Sequence, residues 1–292
     1  MGAEHLACLQ RLIRKGRDVN EQDRTDDGNT PLIGAIKAAN IDAVAMLVSN
    51  GADRNKANLA NKRPIHISVE KGEIEILKLL VDSGVNVNAA DDEGNTALHL
   101  AATSGNLLAI QLLVSVGSID LNLQNQAGQS ALHHACEFGY VDCVWELVDR
   151  KAAIDLQDQN GCTPLHTAAS NGRDLCLREL CKTAPSGGIN LAQKQRDGLT
   201  ALHLAAKCGH DECVGVLVEE KINLSELTND GQTALHLAAM EGHLECLRAL
   251  LDKGMDPKLK NSSGVSAIDV ACRHKHEDCV NLLKGKSDCV IM

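Results

Sequence analysis

Apolar positions in this chain recur in a fixed phrase: Thr or Ser, then Pro or Ala, then a short run such as LHLAA, a Gly, and a second run such as LECLRALL closed by another Gly. The opening residue falls at Thr30, Arg63 (a substitute), Thr96, Ser130, Thr163, Thr200, Thr233 and Ser266, in steps of 33, 33, 34, 33, 37, 33 and 33. Thr or Ser at this place caps a helix and Pro at the next suits its first turn. The phrase therefore predicts two short antiparallel helices per repeat. The first is closed by Gly72, Gly105, Gly139, Gly172, Gly209 or Gly242, and the second by Gly51, Gly84, Gly117 or Gly254. Lys151 and Lys221 stand where a closing Gly is expected, and a left-handed conformation there costs about 1 kcal/mol each. Neither helix of a pair can bury its apolar stripe alone, so stability must come from stacking repeats on one another.

These phrases resemble the ankyrin repeat family from residue 27 to about 285, with eight full repeats. The resemblance implies an all-α repeat solenoid, gently curved, of paired antiparallel helices with projecting β-hairpin-like loops. It divides the chain into a half-repeat cap at 1–26, repeats at 27–59, 60–92, 93–126, 127–159, 160–196, 197–229 and 230–262, a capping repeat at 263–285, and a tail at 286–292. One extra residue lies near Ser118–Ile119, and four more lie in the loop at 184–188.

Composition narrows the function. Apolar residues make up 44% of the chain, yet it holds one Trp, one Tyr and one Phe, so its core rests on small and aliphatic side chains. A net charge of −10 argues against a nucleic-acid partner. No run of 18 apolar residues is present, and the first residues lack a secretory pattern. Twelve cysteines without such a signal predict free thiols in cytosol or nucleus.

The candidate chemistry follows the repeat. His66, His99, His133, His166, His203 and His236 share one place in successive repeats, which predicts a folding role through backbone hydrogen bonds. Cys143, Cys176, Cys213, Cys246 and Cys279 form a second column of buried structural thiols, which Cys8 matches in the half-repeat, with Cys272 also expected in the core. The groups Cys208, His210, Cys213 and Cys272, His274, His276, Cys279 lack a zinc-like convergence, so no metal and no cofactor is expected. Phosphate-loop, serine-elbow and kinase signatures are absent, and the chain reads as non-enzymatic. Asn20 and Asn88 match the context hydroxylated in ankyrin proteins, with a turn-forming Asn as the favoured reading.

Function then falls to the positions that vary between repeats. In the resemblance these are the hairpin tips and the residues ending each first helix: Asp92, Glu93, Thr103, Ser104, Glu137, Phe138, Ser170, Asn171, Lys207 and Met240. Phe138, Tyr140 and Trp145 all lie in the fourth repeat and are expected to anchor another protein, with the chain itself a monomer. The chain closes on CVIM, which fits a farnesyl acceptor at Cys289 and names a prenyltransferase as its modifying enzyme. The GKSD before it is expected to lie beyond the last helix, within reach of that enzyme. One prenyl chain supports weak or partner-assisted contact with a cytoplasmic membrane face. An unmodified tail would leave a soluble cytosolic or nuclear inhibitor or adaptor.

Overall fold

In the computed structural model the described residues are 2–182, 190–220 and 222–289. They form seventeen helices and no strand. The half-repeat supplies α1 (Gly2–Arg14). First helices are α2 (Pro31–Lys37), α4 (Pro64–Glu70), α6 (Ala97–Thr103), α8 (Ala131–Phe138), α10 (Pro164–Ser170), α12 (Ala201–Cys208), α14 (Ala234–Glu241) and α16 (Ala267–His274). Second helices are α3 (Ile41–Ser49), α5 (Ile74–Asp82), α7 (Leu107–Val114), α9 (Val141–Asp149), α11 (Asp174–Cys181), α13 (Asp211–Glu219), α15 (Leu244–Asp252) and α17 (Glu277–Cys289). Most have seven to nine residues, too short to persist alone, so packing must hold them.

Two compact bodies result: residues 1–134 with 149–152, and residues 135–148 with 153–292. In the first, α2, α4 and α6 stack in order, as do α1, α3, α5 and α7. Leu32, Ile33, Leu47, Ile65, Leu80, Leu98 and Leu113 fill its core. In the second, α10, α12, α14 and α16 stack in one layer and α11, α13, α15 and α17 in the other. Alanines 168, 169, 205, 206, 238 and 239 are fully buried between first helices, which lets their backbones approach closely. Isolated bridges Asp23–Asn29, Ala90–Thr96 and Lys260–Ser266 close three hairpins.

The histidine column does what its period predicts. The imidazole Nδ1 of His66, His99, His166, His203 and His236 accepts from the amide of the capping residue three positions earlier. Nε2 therefore carries the proton and donates to a carbonyl at the next hairpin: Ala89, Gln129, Gln193, Gln232 and Val265, at 2.8–3.2 Å. Each ring thus caps its own helix and ties it to the next repeat. Burial holds the imidazoles of His66, His99 and His236 below their ordinary range, and that of His203 down to about 4.

A second row was not anticipated. Nε2 of His210, His243 and His276 donates backwards, to the carbonyls of Ser170, Lys207 and Met240, at 3.0–3.1 Å. Each ring lies over the Gly that ends the preceding first helix. A Cβ on Gly209 would meet the His243 ring at 2.6 Å, so this Gly provides clearance as well as its φ of +80°.

The cysteine column is buried throughout: Cys143, Cys176, Cys213, Cys246 and Cys279 are each 1% exposed. Burial pushes the Cys143 and Cys176 thiols up to about 11 and those of Cys213 and Cys246 up to about 12, far from thiolate reactivity. The Cys8 side chain lies outside the described residues.

Three expectations need correction. Cys272 is exposed rather than in the core, because its register equivalents Ala206 and Ala239 are covered by a following repeat and Cys272, among the described residues, is not. Gly117 does not end its helix with a positive φ: α7 stops at Val114, and the inserted residue is absorbed by a turn in which the Ile119 amide donates to Val116 (3.0 Å). The GKSD segment does not lie beyond the last helix, since α17 continues through Cys289. Lys151 adopts the left-handed conformation expected of it (φ +68°), whereas Lys221 and the loop at 184–188 lie outside the described residues.

Candidate protein-binding surfaces

In the second body, α8 ends in Glu137 and Phe138, and Gly139 (φ +82°) turns the chain so that Tyr140 precedes α9. The turn brings the Phe138 and Tyr140 rings into a stacked pair with centroids 6.3 Å apart and planes 28° off parallel. Both rings stay open, at 41% and 38% exposure. Arg173 Nε donates to the Glu137 carbonyl at 3.0 Å, and its side chain covers Gly139, which fixes the base of the pair. An exposed, rigid aromatic pair is the kind of feature that dominates binding energy at protein interfaces. Trp145 is 52% exposed on α9 and, among the described residues, joins no ring pair, so it is a separate feature.

The other expected contact residues divide by how their polar groups are used. Ser170 Oγ and Asn171 Nδ2 both donate to the Thr167 carbonyl, and the Ser170 carbonyl accepts from His210. Lys207 is exposed, while Met240 is half-buried and contributes its carbonyl to His276. Lys207 and the Phe138–Tyr140 pair are therefore the open elements of this edge.

In the first body Thr103 Oγ1 donates to the His99 carbonyl (2.9 Å) and sits 3.1 Å from His134 Nδ1. His134 Nε2 accepts from Asn125 Nδ2, its ring lies edge-on to His99, and burial brings its imidazole down to about 4. Ser104 Oγ donates to the Leu100 carbonyl. The hydroxyls of both residues are thus spent within the fold. Asp92 and Glu93 are exposed at a hairpin tip, their carbonyls held by the Gln126 side chain and amide respectively.

Asn20 and Asn88 are hairpin-to-hairpin staples. Asn88 accepts from the Asp120 amide (2.9 Å) and donates to the Ser118 carbonyl (2.7 Å), and Asn20 accepts from the Asp53 amide (2.7 Å). These bonds link each hairpin to the next, a structural role different from the turn-forming one the sequence suggests.

Among the described residues no set of three or more His, Cys, Asp or Glu side chains could hold a metal ion, and no helix is long and apolar enough to cross a membrane. The Cys289 side chain lies outside the described residues.

By sequence Asp91, Asp92 and Glu93 together read as a solvated hairpin tip, and the structure corrects this for Asp91. It is 6% exposed, and its Oδ2 has no hydrogen-bond partner. Its signal was an Asp at a place held by Asn58 and Asn125 in the neighbouring repeats.

Comparison with known proteins matches the whole length to one family. Ankyrin repeats (3 copies) match over residues 1–91, 65–158, 100–190, 147–227 and 217–291. Among curated relatives, the SMC5-SMC6 complex localization factor protein 1 of Homo sapiens is 46% identical over 59 residues, 20% of this chain and 6% of that protein. The transient receptor potential cation channel subfamily A member 1 of Homo sapiens is 31% identical over 185 residues, 63% of this chain and 14% of that protein. Synphilin-1 of Mus musculus is 30% identical over 84 residues, 27% of this chain and 9% of that protein. This chain therefore spans only a small part of each of these relatives.

Proposed function

The chain belongs to the ankyrin repeat family, and from that premise we propose that it is a non-enzymatic scaffold that binds another protein. The Phe138–Tyr140 pair carries this reading: two of the chain's three aromatic side chains stack in the open, where burial would have served stability better. Exposed aromatics on a rigid turn bind with little ordering cost, because few torsions remain to be frozen. Lys207 supplies further contact on the same body, Trp145 is a separate contact point on α9, and Asp92 and Glu93 are contact points of the first body taken by itself. The test compares wild type and Phe138→Ala for recovery of a partner identified with the wild-type chain. Loss of affinity by about tenfold or more at an unchanged melting temperature is expected for an interface anchor. Equal affinity would remove Phe138 from the interface.

The membrane tether is the finer part of the proposal. For a polypeptide that ends at Met292, CVIM makes Cys289 an acceptor for a farnesyl group, and the chain would then work at a cytoplasmic membrane face. The last turn of α17 must open for a prenyltransferase to reach it. The helical state of that turn also favours a second reading, a cytosolic or nuclear adaptor with an unmodified tail. Intact mass of the protein recovered from a eukaryotic cytoplasm decides between them. A prenyl adduct with three residues removed supports the tether, and an unmodified mass supports the adaptor.

A further inference from the structure

Two hairpins of the first body share a contact that a third cannot make. Asn58 Nδ2 donates to Asn29 Oδ1 of the preceding hairpin (3.1 Å), and Asn125 Nδ2 donates to Asn95 Oδ1 (2.9 Å). Asp91 holds the same register position between them, and the place of Asn29 and Asn95 in the preceding hairpin is held by Lys62. Its Oδ1 accepts from the amides of Glu93 (3.0 Å) and Asn95 (2.8 Å), as Asn58 Oδ1 does from Ala60 and Lys62. Where an Asn would present a donor toward the preceding hairpin, Asp91 presents a buried acceptor, Oδ2, without a partner. Such an orphan costs about 1–3 kcal/mol.

The natural donor is close but occupied. Lys62 Nζ bonds Glu70 Oε1 at 2.5 Å, at the end of α4. The Lys62 ammonium is held above its ordinary pKa range chiefly by that hydrogen bond, with Asp91 and Glu93 adding attraction from nearby. Lys62 and Glu70 line an open cavity of about 460 Å³ together with Asp27, Lys37, Leu59 and Ile67. Lys37 is paired with Asp26 at 3.7 Å, so both lysines of the cavity are already committed to carboxylates. Leu59 is 71% exposed, the most open large apolar side chain described.

We propose that this cavity docks a Lys- or Arg-bearing segment of a protein partner by cation exchange. The incoming cation takes the Glu70 carboxylate, Lys62 Nζ turns to Asp91 Oδ2, and Leu59 packs on the apolar stem of the incoming side chain. The exchange adds one ion pair and satisfies the orphan oxygen in the same step. It rests on the protein-binding reading and names the chemistry of a partner; a net charge of −10 favours a basic one.

The experiment titrates a fluorescein-labelled hexa-arginine peptide onto the full chain and follows anisotropy. Glu70→Gln is expected to weaken binding about tenfold, equivalent to about 1.4 kcal/mol. Asp91→Asn weakens it too, because Lys62 then has no second acceptor and competes for Glu70. Lys62→Met binds more tightly than wild type, and in that background Asp91→Asn has no further effect. The inference is overturned if Glu70→Gln binds like wild type, or if Asp91→Asn costs the same with Lys or Met at position 62. Phe138→Ala leaves peptide affinity unchanged, so either of those failures leaves the scaffold reading, tested at Phe138, standing.

Discussion

The buried histidine column should make the fold sensitive to mild acid, and His203 measures that effect. The ring is 1% exposed, accepts at Nδ1 from the Thr200 amide and donates at Nε2 to the Gln232 carbonyl. Protonation would remove the acceptor and place a charge among Ala201, Leu202 and Ala205, which are themselves buried. Burial accordingly brings its pKa from 6.5 to about 4. Because the folded value lies below the unfolded one, the contribution is complete above about pH 6.5 and is lost as pH falls toward 4. At pH 5 the unfolded imidazole is almost fully protonated and the folded one only about a tenth, so proton linkage between pH 7 and 5 amounts to about 2 kcal/mol. Urea unfolding of wild type and His203→Gln at both pH values isolates this quantity. The variant is less stable throughout, since Gln cannot cap the helix and reach Gln232 together. Its loss on going from pH 7 to 5 should be smaller than that of wild type by about 2 kcal/mol. Equal losses in the two proteins would refute the assignment of acid sensitivity to this ring.

Two backbone substitutions test the repeat grammar directly. Lys151→Gly relieves a side chain at φ +68° and should raise stability by about 1 kcal/mol, visible as a higher melting temperature. An unchanged or lower midpoint would show that Lys151 is not strained. Gly215 sits inside α13 without a positive φ, and a Cβ there meets nothing within 4 Å. Gly215→Ala should therefore stabilise by about 0.5–1 kcal/mol through helix propensity, and a drop in the urea midpoint would contradict that expectation.

How far the sequence could be read depended on repetition. A residue recurring every 33 positions declares its role through its period, because each copy meets the same neighbours. The histidine and cysteine columns, the capping Thr and Ser residues, most helix-ending glycines and the left-handed backbone at Lys151 were legible on that ground. The errors fell where the period breaks. Cys272 repeats a buried position, but burial there comes from a following repeat, and none follows it among the described residues. Gly117 repeats a helix-ending glycine, but one inserted residue changes the turn that the backbone makes.

His210, His243 and His276 also recur at steps of 33, so a shared role was legible in the sequence. That each ring donates backwards to the preceding repeat was not, because the period does not say which carbonyl a ring will face. For the candidate surfaces, sequence pattern identified Phe138 and Tyr140 as variable and aromatic. Only the folded turn at Gly139 stacks them and leaves both open. Asp91 marks the same boundary. Its difference from Asn58 and Asn125 is a single letter, and that letter becomes a buried acceptor without a donor only once Lys62 has turned to Glu70. Local grammar and period lie in the chain itself, because capping and helix propensity act over a few residues. Exposure, pairing and the orphan oxygen are decided by stacking, because each depends on atoms about 30 residues away in the sequence.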